Sequence, residues 1–136
     1  MRIVLDEGAI KPTREHPTDA GLDLYAMETK TINARGFCTF RTGVHAEIPE
    51  GCAGVLISKS GLNVKNSITS TGLIDEGYTG EIMVKLYNHG FTDYKVERGT
   101  KISQLMIVPV RYVEVEVVDS LSKTERGDKG FGSTGR

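Results

Sequence analysis

An acid and an aromatic three residues apart, Asp75 and Tyr78, sit among glycines in Gly72-Leu-Ile-Asp-Glu-Gly-Tyr-Thr-Gly-Glu-Ile82. A carboxylate at the rim of a turn can hold and deprotonate a water that comes within hydrogen-bond distance. A neighbouring aromatic can carry a flat ring or a sugar. Gly77 and Gly80 permit φ > 0, so the stretch predicts a β-hairpin with a sharp bend. Taken alone, a hairpin with a solvated carboxylate and a half-buried tyrosine explains the same residues.

Other stretches add chemistry of a different kind. Ser58-Lys-Ser-Gly-Leu62 follows the apolar Gly54-Val-Leu-Ile57. Small polar residues after a strand expose hydroxyls and N–H groups, and Lys59 adds a point charge, a combination that suits phosphate. An ordinary strand exit fits the five residues too, and they lack the spacing of a Walker loop. Asp23 interrupts the apolar run of Ala20-Gly-Leu-Asp-Leu-Tyr25. It is either an outward position on a half-buried strand or a carboxylate held beside a metal's waters or another catalytic group. Gln104 stands among Ile102, Leu105, Met106 and Ile107. A buried glutamine needs partners, either the sheet edge or a ligand oxygen.

The segment after Ser120 changes character. Arg126-Gly-Asp-Lys-Gly-Phe-Gly-Ser-Thr-Gly-Arg136 carries one aromatic among glycines and small hydroxyls. Gly130-x-Gly132-x-x-Gly135 has the spacing of a dinucleotide fingerprint, but that motif must open a helix, and here no room for one follows. The reading that remains is a glycine-rich arm. Arg126, Ser133 and Thr134 can grip phosphate oxygens, and Phe131 can lie on a ring when the arm closes as a lid.

These residues need elements to hold them. At 136 residues the chain fits one domain with a core. Its 38% hydrophobic and 26% charged content is that of a globular protein rather than a disordered one. A net charge of -1 gives no basic excess for nucleic-acid binding, so charge for an anionic ligand must be local or come from a metal. The longest apolar run, Leu105 to Val110, is too short to span a membrane. Cys38 and Cys52 make neither a zinc site nor a disulfide framework, His16, His45 and His89 are scattered, and a cytoplasmic setting is expected.

Short β-branched and aromatic runs alternate with Gly, Pro and Asn, and no segment sustains a 3.6-residue period. Strands are predicted at Ile3–Leu5, Leu22–Met27, Phe37–Arg41, Val44–Ile48, Gly54–Ser58, Ile82–Tyr87, Tyr94–Val96, Ile102–Val108 and Tyr112–Val118. In the last, Val113, Val115 and Val117 face one side and Glu114 and Glu116 the other. A short helix is predicted at Leu62–Asn66. The fold class is all-β: a sandwich, barrel or jelly roll.

Five stretches stand in one order: Ala20-Gly-Leu-Asp-Leu, Ser58-Lys-Ser-Gly-Leu, Gly72-Leu-Ile-Asp-Glu-Gly-Tyr-Thr-Gly, Gly99-Thr-Lys-Ile-Ser-Gln-Leu and Arg126-Gly-Asp-Lys-Gly-Phe-Gly-Ser-Thr-Gly. In order and spacing the chain resembles the homotrimeric dUTP pyrophosphatase (dUTPase) family over nearly its whole length. The resemblance implies an all-β, jelly-roll-like dUTPase fold (β-clip), with a core domain over 1–119 and a flexible arm over 120–136. It implies a homotrimer with active sites at subunit interfaces and hydrolysis of dUTP to dUMP and pyrophosphate with Mg²⁺.

By that resemblance Asp75 is the general base and Arg126 an arginine finger. Lys59, Ser60, Gly61 and Gln104 meet phosphates. Gly72, Leu73, Ile74 and Met83 read the uracil edge with Thr69 nearby. Tyr78 lies under the sugar, Phe131 stacks on uracil, and Gly132, Ser133 and Thr134 close the arm. Asp23 supports the metal's waters without binding the metal directly. The chain departs from the family pattern at Leu22, where an aromatic is usual, at Lys59, where arginine is usual, and at Thr69, where many members have asparagine. A dCTP deaminase, similar in fold, would need a glutamate where Lys85 stands. A regulatory dUTP-binding protein would keep Tyr78 and Phe131 and have no need of Asp75.

Overall fold

The computed structural model describes residues 1–124, 127 and 128. Ten strands and one helix follow in order: β1 (Ile3–Leu5), β2 (Gly21–Tyr25), β3 (Lys30–Ile32), β4 (Phe37–Phe40), β5 (Val44–Ala46), β6 (Cys52–Ile57), α1 (Ser60–Asn66), β7 (Ile68–Ile74), β8 (Val84–Asn88), β9 (Tyr94–Val96) and β10 (Lys101–Pro109). Six strands form the main sheet in the order β2-β10-β6-β7-β8-β4, and two small sheets pair β1 with β5 and β3 with β9. Every pairing is antiparallel. The all-β expectation holds.

Alternation makes the core. In β8, Val84, Leu86 and Asn88 turn inward while Lys85 and Tyr87 face out. Leu24, Ile32, Phe40, Val44, Leu56 and Leu105 meet in one buried cluster. Asn88, inward and polar, is satisfied there: its Nδ2 donates to the carbonyls of Ile32, Asn33 and Thr92, and its Oδ1 accepts from Gly90 N–H. That fixes the Asn-His-Gly turn without an unpaired polar group.

Three differences from the sequence reading have physical causes. Ile68–Ile74 is a strand where none was predicted, because Ser70, Thr71 and Gly72 dilute its apolar alternation. Lys30–Ile32 is only three residues long and gives too little pattern to read. Tyr112–Val118 alternates as predicted but forms no strand. A strand exists through ladder hydrogen bonds, and this segment pairs with nothing among the described residues. Val113, Val115 and Val117 are 75%, 88% and 93% exposed.

Candidate active site

The hairpin tip is built by one turn and one close approach. Tyr78 N–H donates to the Asp75 carbonyl at 3.2 Å, closing a four-residue turn with Gly77 at φ +84. A positive φ at the third position favours glycine there. Gly80 is needed for another reason than the predicted φ > 0. Its φ is not positive; instead the Tyr78 ring lies across it, and an added Cβ would stand 2.6 Å from the ring's Cζ. Tyr78 Oη donates to the Glu81 carbonyl at 3.0 Å and holds the ring in place.

The loop after β4 grips this tip from behind. The Glu81 carboxylate accepts from Arg41 Nε at 3.0 Å and from Gly43 N–H at 2.8 Å. Ile82 N–H donates to the Val44 carbonyl, and Thr42 Oγ1 donates to that of Ile82. His45 Nδ1 lies 3.1 Å from the Thr79 carbonyl. Glu81 and Arg41 were not singled out from the sequence, since no spacing rule links residues forty positions apart.

Between the arms of this hairpin lies a slot. β7 and β8 pair at Ile68↔Asn88, Thr69↔Tyr87 and Ser70↔Leu86, and no further. Beyond Ser70, β7 keeps its ladder only with β6, through Gly72↔Leu56 to Ile74↔Gly54. On the edge away from β6, the main-chain groups of the upper part of β7 therefore have no ladder partner. Leu73, Ile74, Asp75, Tyr78, Glu81 and Met83 line the cleft that results, about 370 Å³ in volume. Its walls are apolar, and Asp75 stands exposed at its mouth. Thr69 is not part of it: it lies in the closed portion of the ladder, with its hydroxyl 2.8 Å from His89 Nε2.

A second group of functional side chains lies elsewhere on the sheet. Asp23 on β2 is 4% exposed. Lys59 Nζ donates to its Oδ1 at 2.5 Å, and Lys101 Nζ pairs with its Oδ2 at 2.9 Å. Burial opposes ionisation of Asp23, but the hydrogen bonds from the two ammonium groups outweigh it and hold its carboxyl below the ordinary value. The hydrogen bond to Asp23, with that to Glu15, pushes Lys101 well above the ordinary lysine range. Lys101 was missed because it reads as a strand-entry charge.

Buried hydroxyls fix the chain that carries Lys59. Ser58 Oγ donates to the Ser70 carbonyl and accepts from Ser70 N–H, and Ser70 Oγ meets Ser103 Oγ at 2.9 Å. Ser60 and Gly61 begin α1 and are exposed. Gln104 is half-buried rather than buried, and it lies between Asp23 and Ile57 in the sheet. Arg126, Phe131, Gly132, Ser133 and Thr134 lie outside the described residues.

The two groups do not meet within one chain. Gln104 pairs with both Asp23 and Ile57, whereas Ile74 pairs with Gly54, so Asp75 extends past the far end of that register. Four residues along the strands and three strand spacings separate Asp23 from Asp75, roughly 20 Å.

Among the described residues, no three His, Cys, Asp or Glu side chains converge to hold a metal ion, and no helix is long and apolar enough to cross a membrane.

A family model described as dUTPase matches residues 7–135. A deoxyuridine 5'-triphosphate nucleotidohydrolase of Clostridium acetobutylicum is 47% identical over 134 residues, spanning 96% of this chain and 92% of that one. The enzyme of the same description from Clostridium tetani is 43% identical over 98% of this chain and 94% of its own. Among solved structures, the dUTPase of Staphylococcus bacteriophage 80alpha with dUpNHpp superposes with a TM-score of 0.92 at 32% identity, covering 99% of this chain and 98% of the other. A variant dUTPase from phage phi11 of S. aureus, described as coordinating a structural Mg(II) ion, superposes at 0.81 with 29% identity over 88% of this chain and 96% of the other.

Proposed function

Since the chain belongs to the dUTPase family, we propose that it hydrolyses dUTP to dUMP and pyrophosphate, with Asp75 activating the water that attacks the α-phosphorus. The observation that carries the role of Asp75 is its carboxylate at the mouth of an apolar slot whose walls offer unpaired main-chain groups. Asp75 takes a proton from the attacking water as the P–O bond forms. The bond to the bridging oxygen breaks, and pyrophosphate leaves with the electron pair.

Selectivity fits the same slot. Main-chain groups of Gly72, Leu73, Ile74 and Met83 read uracil by hydrogen bonds. Cytosine reverses part of the donor–acceptor pattern and leaves buried groups unpaired, worth roughly 10⁴-fold in discrimination. The thymine methyl clashes with the tight hairpin. Tyr78, locked to Glu81 and crossing Gly80, leaves no space for a 2′-hydroxyl on the sugar above it.

The triphosphate needs cations that the slot lacks. Lys59 supplies one, with Ser60, Gly61 and Gln104 as donors to phosphate oxygens. Arg126 is the arginine finger, Ser133 and Thr134 meet the terminal phosphate, and Phe131 stacks on uracil, with Gly132 allowing close approach. Mg²⁺, held mainly by the substrate's phosphates and water, would supply charge that offsets the triphosphate. Asp23, compensated by Lys101, would support the metal's waters.

The separation of Asp75 from the Asp23–Lys59 cluster supports a homotrimer whose sites combine the slot of one copy with the cluster of another. The exposed Val113, Val115 and Val117 support it too, since an alternating segment needs a covering surface. The chemistry is tested by pyrophosphate release from dUTP, dCTP and dTTP with Mg²⁺. Only dUTP should turn over, and equal rates would overturn the proposal. The shared site is tested by mixing Asp75→Asn and Lys59→Ala subunits, each inactive alone. Activity should return in mixed trimers, and none should return if each chain holds a whole site.

A further inference from the structure

The buried Asp23 carboxylate has two ammonium partners that are not equivalent. Lys101 belongs to β10 opposite Tyr25, diagonal to Asp23 across the sheet, and it has a second acceptor in Glu15 Oε2 at 3.0 Å. Lys59 lies where the chain has left β6 for α1, and among the described residues its ammonium has no acceptor other than Asp23. One cation is built into the sheet, and the other is held only by the carboxylate.

We propose that Lys101 is a positioning residue for the reaction: it keeps Asp23 compensated from the sheet side, so that Lys59 can leave Asp23 and meet the triphosphate. This inference rests on the dUTPase reading and deepens it. Withdrawing the sole cation from a buried carboxylate strands an ionised group in a medium that solvates it poorly. With Lys101 in place, Asp23 retains a counter-ion when Lys59 moves, and the penalty falls on neither residue. Lys59 is suited to such a transfer because an ammonium on a flexible stem is a mobile point charge, whereas a guanidinium would fork across both carboxylate oxygens. Here two lysines take one oxygen each. Substrate and Asp23 thus compete for Lys59, and Lys101 decides how strongly Asp23 competes.

The test uses the full-length protein and compares Lys101→Met, Lys101→Gln and Lys101→Arg with wild type. Wild-type turnover of dUTP must be present first; its absence would overturn the dUTPase reading and this inference with it. Given an active wild type, Lys101→Met should raise KM for dUTP about tenfold or more with kcat within about threefold, since Lys59 is now needed by Asp23. Inorganic tripolyphosphate, as a competitive inhibitor, should weaken in parallel. Lys101→Arg should restore both within about threefold. An unchanged KM in folded Lys101→Met or Lys101→Gln overturns the inference. So does a loss of kcat that tracks a loss of folded protein, or failure of all three variants to fold, because either outcome makes Lys101 a structural strut.

Discussion

The slot end and the cluster end of the sheet solve opposite problems. At the slot, Asp75 stands exposed on a turn, and its position is set by backbone: Gly77 in the left-handed region, Tyr78 crossing Gly80, and the loop 41–43 behind. At the cluster, Asp23 is buried on a strand, and its position is set by side chains of opposite charge. The proposed base must reach water, so it stays in solvent. A charge organiser must not be screened, so it is buried. The difference teaches that one carboxylate can be replaced without disturbing the fold, while the other cannot.

The largest expected effect follows at the slot. Asp75→Asn should lower kcat by about 10² to 10⁴ while dUTP binding and the melting temperature stay near wild type, because an exposed turn residue contributes little to stability. Steady-state rates, calorimetric binding and thermal melts check the three parts, and retained turnover would remove Asp75 from the base role. At the cluster the pattern should invert. Asp23→Asn leaves Lys59 without a counter-charge and Lys101 with Glu15 alone, and should destabilise the chain by about 3 kcal/mol, the lower end for broken buried pairs because both lysines keep some solvent. Urea unfolding measures this. A variant as stable as wild type would erase the contrast between the two ends.

The pH dependence sharpens the same contrast. The carboxyl of folded Asp23 is held below its ordinary value. Its contribution to stability is therefore fully present above about pH 4 and is lost as pH falls through the lowered folded value. The gap in urea midpoint between wild type and Asp23→Asn should be steady from pH 8 to pH 5, taken as about the neutral-to-mild range, and should close on further acidification. A gap that widens in acid would reverse the sign.

Smaller effects separate shape from charge within the slot. Gly80→Ala should push the Tyr78 ring aside, raise KM for dUTP about tenfold and let UTP compete better, with little change in melting. Competition assays with UTP report it, and unchanged sugar discrimination would free Tyr78 from that role. Smallest of all, Tyr112→Phe removes the hydroxyl that donates to Glu76, which also accepts from Gly51 N–H at 2.9 Å. Tyr112 is well exposed, so the urea midpoint should hardly move.

Legibility from sequence divided along the same line. Motif order was enough for the family, and alternation was enough for an all-β fold, with Ile3–Leu5 and Tyr94–Val96 matching residue for residue. Gly77 was readable because a positive φ leaves a mark on residue choice. Gly80 was misread, because a close approach by Tyr78 leaves the same mark. The partners of Asp23 were not readable: Lys59 and Lys101 lie 36 and 78 positions away, and only the β2-β10-β6 order brings them together. Thr69 stands where the family pattern has a base-contacting asparagine, and its hydroxyl contact with His89 across the ladder carried no mark in the sequence.

The uncovered Tyr112–Val118 segment has a consequence for how the protein must be handled. An alternating valine segment without a partner is a template for any passing edge, and association with the wrong copy competes with the right one. Glu114 and Glu116, on the opposite face, set like charges against like when two such segments stack in register, and so act as gatekeepers against fibrillar contacts. Solubility of the newly made chain should then depend on ionic strength as much as on concentration: salt that screens those glutamates removes the gate before assembly has buried the valines.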